Sequence, residues 1–106
     1  MKVIRHELEI ADYQEIPVPE GEFLSVAVSR SAPNTAIDMW TLDKEVSPRP
    51  RVVAVYIVGT GNPMPTQLDT DDQVWARTWR RFIGTAVTPS GLVWHVFVGP
   101  RIEKPE

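Results

Sequence analysis

The chain has no cysteine, which removes two ways of holding a small domain together, a disulfide framework and a thiolate zinc site. It also lacks any run near the roughly 20 apolar residues that a membrane-spanning helix needs. The opening Met1-Lys2-Val3-Ile4-Arg5-His6-Glu7 has no apolar centre of the kind a secretory signal carries. These absences set the expectation of a soluble cytoplasmic protein with no membrane partner. Positive charge is short too: 11 Lys and Arg stand against 14 Asp and Glu, a net charge of −3. Polymeric DNA and RNA are held largely by excess cations, so neither is an expected partner. A compact ligand with one or two phosphates needs only a few local donors and is not excluded.

Helix signals are as sparse. Thr70-Asp71-Asp72 is the one plausible cap, ahead of a short helix over Gln73 to Trp79 whose N-terminus the acids would favour. Asp69, Asp71 and Asp72 lack the glycine and spaced glutamate of a calcium loop, so no metal site is expected. No serine sits in a nucleophile-elbow pattern.

What the chain does have is short apolar stretches cut by ten prolines and six glycines. Residues 92–98, Leu-Val-Trp-His-Val-Phe-Val, are apolar on both sides of a strand: Leu92, Trp94, Val96 and Val98 leave one face, Val93, His95 and Phe97 the other. A second sheet, a long loop or another subunit must cover its far face; Arg51 to Val58 is likewise apolar on both faces and is expected in the centre of its sheet. Val3 to Ile10 alternates, with Ile4, His6, Leu8 and Ile10 inward and one wet side outward. Ile16-Pro17-Val18-Pro19-Glu20-Gly21 can be only a short edge strand running into a turn, because neither proline donates to a ladder. Phe23 to Ser29 reads with Leu24, Val26 and Val28 inward and Ser25, Ala27 and Ser29 outward. Ile37 to Leu42 is extended around Trp40, and Pro89-Ser90-Gly91 turns Arg81–Thr88 back into the 92–98 strand. The expected fold is mainly β: one small antiparallel sandwich or partly open barrel of about seven strands with at most one short helix. Its domain spans 1–99, and a frayed charged tail follows over 100–106.

Three groups of residues carry candidate chemistry. Gly59-Thr60-Gly61-Asn62 follows a strong strand; it is either a plain turn or a loop whose backbone approaches an anion. It is neither a Walker loop nor a dinucleotide fingerprint. Trp75, Arg77, Trp79, Arg80 and Arg81 interleave indoles, which stack on bases, with guanidiniums, which fork onto phosphates; the alternative is an amphipathic lid with solvated arginines. His95 is a general base, a metal ligand or a hydrogen-bonded structural residue, and no Asp, Cys or second His stands near it in sequence.

The order of these motifs resembles a family of short phage proteins. Val58-Gly59-Thr60-Gly61, then Pro63, then Phe82-Ile83-Gly84-Thr85, then Leu92-Val93-Trp94-His95-Val96-Phe97 carry the likeness, with Pro19-Glu20-Gly21 and the Trp40 strand ahead of them. It covers roughly residues 1–98. The loop of that family typically reads Gly-Thr-Gly-His, and Asn62 stands here in the fourth place. The family is similar to phage anti-CBASS sponge proteins, which bind cyclic oligonucleotide immune signals without cutting them. The resemblance implies a non-enzymatic sponge without cofactor, a homo-oligomer with a tetramer as the expected form, acting in the cytoplasm of an infected bacterium. The ligand implied is a cyclic dinucleotide or a relative of it. Gly59, Thr60, Gly61 and Asn62 are then the expected polar contacts, Arg77, Arg80 and Arg81 the phosphate contacts, and Trp79 the stacking residue. His95 orients a base or ribose, or is core. The competing expectation is an oligomeric module that binds a host or virion protein.

Overall fold

Period-two alternation places seven antiparallel strands in two sheets in the computed structural model, which describes residues 1–63 and 81–102. They are β1 (Lys2–Glu9), β2 (Tyr13–Val18), β3 (Gly21–Val28), β4 (Ala36–Asp43), β5 (Arg51–Gly59), β6 (Arg81–Val87) and β7 (Val93–Arg101). One sheet has the order β1-β4-β3 and the other β2-β5-β7-β6. Among the described residues there is no helix; the helix expected over 73–79 lies outside them.

The two strands that are apolar on both faces, β5 and β7, are the inner strands of the four-stranded sheet, and the proline-bearing β2 is at its edge. Val53, Val55, Ile57, Val96 and Val98 meet Leu8, Ile37 and Met39 of the opposing sheet in one continuous core. On the far side of the larger sheet Ala54 and Tyr56 form a second, smaller cluster with Phe97 and Ile102. Ile102, just past the end of β7, therefore covers part of the second face that the sequence left open. β7 runs past the expected boundary at residue 99: Arg101 pairs with Val53, and the Ile102 N–H donates to the Val52 carbonyl. A register shift opposite Ala54 takes up Gly99 and Pro100, which is how a proline is tolerated in an inner strand.

One pair of sheet margins closes and the other stays apart. Gly84 of β6 packs directly on Val26 of β3. β1 and β2 instead flank an open cleft lined by Ile4, Pro17, Val18 and the Ser47–Pro50 connection. No ladder crosses either margin. The fold is a sandwich packed shut along one side.

Two expected facings are corrected, the first by a bulge. In β3 the register slips between Phe23 and Ser25, so Phe23 turns into the core while Leu24 is 45% exposed. Ser29, expected outward, is buried, because its hydroxyl accepts the N–H groups of Ser31 and Ala32 and meets the Glu7 carboxylate. The expected strand over 92–98 begins at Val93, leaving Leu92 exposed in the hairpin loop. Asp38, on the outer face of β4, is fully covered and held by Arg5 Nη1 at 2.8 Å and by the Arg30 N–H. On the inner face, His6 Nε2 lies 2.9 Å from Thr41 Oγ1, and burial holds the imidazole below its ordinary pKa.

Candidate functional site

The Gly59–Asn62 stretch ends β5 in a tight turn. The Asn62 N–H donates to the Gly59 carbonyl, and Gly61 takes a φ of 88°, open only to a residue without a Cβ penalty. A Cβ on Gly59 would lie 2.8 Å from Asn62 Nδ2 and 3.2 Å from Trp94 Cζ3, so the Asn62 side chain folds back where only glycine leaves room. The Thr60 N–H is also committed, to the Val93 carbonyl. With two amides spent on the fold, the polar groups the turn presents are chiefly the exposed side chains of Thr60 and Asn62.

His95, in β7, sits on the outer face of the four-stranded sheet between two hydroxyls. Thr60 Oγ1 is 2.7 Å from its Nε2, and Thr85 Oγ1 is 2.9 Å from its Nδ1. Thr85 is its direct cross-strand partner on β6. Of the three readings open to this histidine, the geometry matches the hydrogen-bonded one, but on an accessible face and not in the core. Thr60 links it to the Gly-Thr-Gly turn, so Gly59, Thr60, Gly61, Asn62 and His95 converge at one end of the sheet. Two clefts open there. One of about 320 Å³ lies between the turn and the hairpin loop, lined by Thr60, Asn62, Leu92 and Trp94. The other, of about 340 Å³, lies between the turn and Asp12.

A row of rings crosses the same face. Tyr13, Tyr56, Phe97 and Phe82 are successive cross-strand partners through β2, β5, β7 and β6. Tyr13 and Tyr56 lie 5.3 Å apart and Phe82 and Phe97 5.4 Å apart, centroid to centroid, with tilted planes; such geometry is favourable for aromatic pairs. The hydrogen bond to Glu15 pushes the Tyr13 phenol up to about 12, and burial pushes Tyr56 up. Phe82 reaches this face because of a bulge. The register shifts between Phe82 and Gly84, whereas an unbroken β6 would turn Phe82 to the side of Gly84 and Ala86.

Arg81 opens β6, its backbone paired with Val98. Arg77, Trp79 and Arg80 lie outside the described residues. Sequence reasoning did not single out Thr85, Phe82, Tyr13 or Tyr56 as site residues. Thr85 had a usable signal: it and His95 stand equally far from Ser90 at the centre of the hairpin. Phe82 had none, because the bulge breaks that count.

The class defined by this geometry is a small two-sheet antiparallel β domain that carries a row of four rings and accessible hydrogen-bonding groups on the outer face and loop end of its larger sheet. Residues 1–105 match a domain family of unknown function, DUF7352, and the chain belongs to that family. No curated protein and no solved structure matches it.

Proposed function

We propose that this protein is a non-enzymatic sponge that binds a cyclic oligonucleotide signal and so blocks a CBASS-type defence, encoded by a phage and working in the cytoplasm of the infected bacterium. The observation that carries the reading is the convergence of the Gly59–Asn62 turn, His95 and the hairpin loop beside open clefts. Both ring nitrogens of His95 face hydroxyls, not a carboxylate, an arrangement that suits recognition better than proton transfer, for which a base is usually oriented by an acid. Sequestration asks only for affinity. A Kd of about 1 nM is roughly −12 kcal/mol. Two stacked bases at about 1–3 kcal/mol each and several charge-assisted hydrogen bonds at about 1.5–3 each supply that after the cost of immobilising the ligand. Thr60, Asn62 and His95 supply the polar contacts in this reading, with Arg77, Arg80 and Arg81 on phosphates and Trp79 stacking. A homo-oligomer, with a tetramer as the expected form, completes it.

Calorimetric titration of a panel of cyclic di- and trinucleotides tests the reading, with the protein's fold verified by circular dichroism. Binding of at least one member at submicromolar Kd supports it; no heat with any member overturns it. Light scattering that returns the mass of one chain, with and without ligand, overturns the oligomer.

A second reading, a module that binds a host or virion protein, draws on the exposed apolar side chains of Phe82, Val87 and Leu92 around the β6–β7 hairpin. It calls for a protein partner retained from infected-cell lysate and no response to the nucleotide panel.

A further inference from the structure

The bulge in β6 has a chemical consequence. It places Phe82, 55% exposed, on the same face as Thr85 and His95, with its ring centroid 6.4 Å from that of the imidazole. An open ring thus lies beside an imidazole that two exposed threonine hydroxyls flank. The imidazole controls the sense of those hydroxyls. A neutral ring has one N–H donor and one acceptor nitrogen. Thr60 and Thr85, one on each nitrogen, must therefore bond it in opposite senses. The threonine that donates into the ring keeps its lone pairs for a ligand; the one that accepts turns its O–H outward. The face then offers a flat apolar surface, one acceptor and one donor.

From this juxtaposition we propose that Phe82, Thr85, His95 and Thr60 form a nucleoside subsite, in which the base stacks on Phe82 and the two hydroxyls read polar groups of the base and ribose. A nucleoside carries all three complements: a planar ring, donors and acceptors. A bare phosphate has no use for Phe82, and an aliphatic ligand has none for the hydroxyls. The subsite deepens the sponge reading and rests on it for the identity of the full ligand. It adds a stacking residue, Phe82, and a polar one, Thr85, that were not among the site residues expected from the sequence.

The test uses the full chain and two probes. Adenosine monophosphate, added to millimolar concentration, is expected to shift the backbone amide resonances of Phe82, Thr85 and His95 in nitrogen–proton correlation spectra. Phe82→Leu, which keeps an apolar side chain but loses the π face, is expected to weaken this binding at least about fivefold, the low end for one stacked base. Thr85→Val, which keeps the shape and loses the hydroxyl, is expected to weaken it also. Absence of shifts at these amides, or wild-type affinity in both variants, overturns the subsite. The cyclic oligonucleotide panel, run on the same three proteins, separates the two claims. Tight binding of a cyclic ligand that neither variant alters sinks the subsite and leaves the sponge standing. Mapped monophosphate binding with no response to any cyclic ligand supports the subsite and sinks the sponge. Both side chains are exposed, so the fold is expected to survive; should Phe82→Leu melt early, the wild-type spectra and Thr85→Val decide.

Discussion

Replacing Gly84 by alanine tests whether β3 and β6 close one side of the sandwich. The new Cβ would lie 2.9 Å from Val26 Cγ2 and 3.7 Å from the Val26 amide nitrogen. Ordinary carbon–carbon contact is about 3.5–4.0 Å, so the first of these is too close by more than half an ångström. Val26 is stiff at χ1, and it packs against the core, so its methyl cannot simply swing away. Overpacking of this kind costs about 1–3 kcal/mol. Against that, losing a strand glycine returns about 0.5–1 kcal/mol, which leaves a net loss of about 1 kcal/mol for Gly84→Ala. The coupling is the sharper quantity. In a Val26→Ala background the opposing methyl is gone, and Gly84→Ala should become neutral or stabilising. A double-mutant cycle by urea unfolding, followed through tryptophan fluorescence, should therefore give an interaction energy of about 1–3 kcal/mol. Additivity within about 0.5 kcal/mol would refute the reasoning and mean that the two margins are not in contact.

Burial holds the His6 pKa below 6.5, so on acidification the unfolded chain takes up this proton first. Stability contributed by neutral His6 is present above the unfolded-state value of 6.5 and falls as the pH drops below it, by at most about 1.4 kcal/mol per pH unit; in His6→Gln, denaturant melts below pH 6.5 should lose this slope. Arg5→Met strips its ion-pair partner from Asp38, whose side chain is 1% exposed. The expected loss is about 3 kcal/mol, the low end for a broken buried pair, because the Arg30 N–H stays in place; the same melts check it, and a loss under about 1 kcal/mol, the level of an exposed pair, contradicts it. Leu24→Ser, at the exposed bulge of β3, should change stability by no more than about 0.5 kcal/mol, whereas a Leu24 buried as its alternation suggested would cost several times that.

Much of the architecture was legible because burial on both faces is written in side chains. Arg51 to Val58 and the stretch ending at Val98 have no polar side, and both became inner strands. Pro17 marked β2 as an edge, and Ser90 marked the centre of the β6–β7 hairpin. Bulges defeated the rest. A single extra residue reverses every facing beyond it, so Leu24 and Phe23 exchanged roles, and Phe82 arrived on the accessible face. The tail expected to fray from residue 100 instead continues β7 to Arg101, because a slip opposite Ala54 takes up Gly99 and Pro100. The pairing of the sheets was hidden for another reason: which edges meet depends on how two twisted sheets stack, and no local pattern encodes the contact of Gly84 with Val26. In the site, the Gly-Thr-Gly turn and His95 stood out as residue types. Their connection through Thr60 and Thr85 depends on register between three strands.

If the protein is the sponge proposed, it holds its ligand without changing it. The direct measurement is to saturate the chain with a cyclic oligonucleotide from the panel, remove free ligand, wait several hours, denature by heat and chromatograph the supernatant. Stoichiometric recovery of the intact cyclic species is the expected result. Recovery of a linearised or cleaved product, accumulating with incubation time, would contradict it, as would a supernatant from which nothing that had been bound is released.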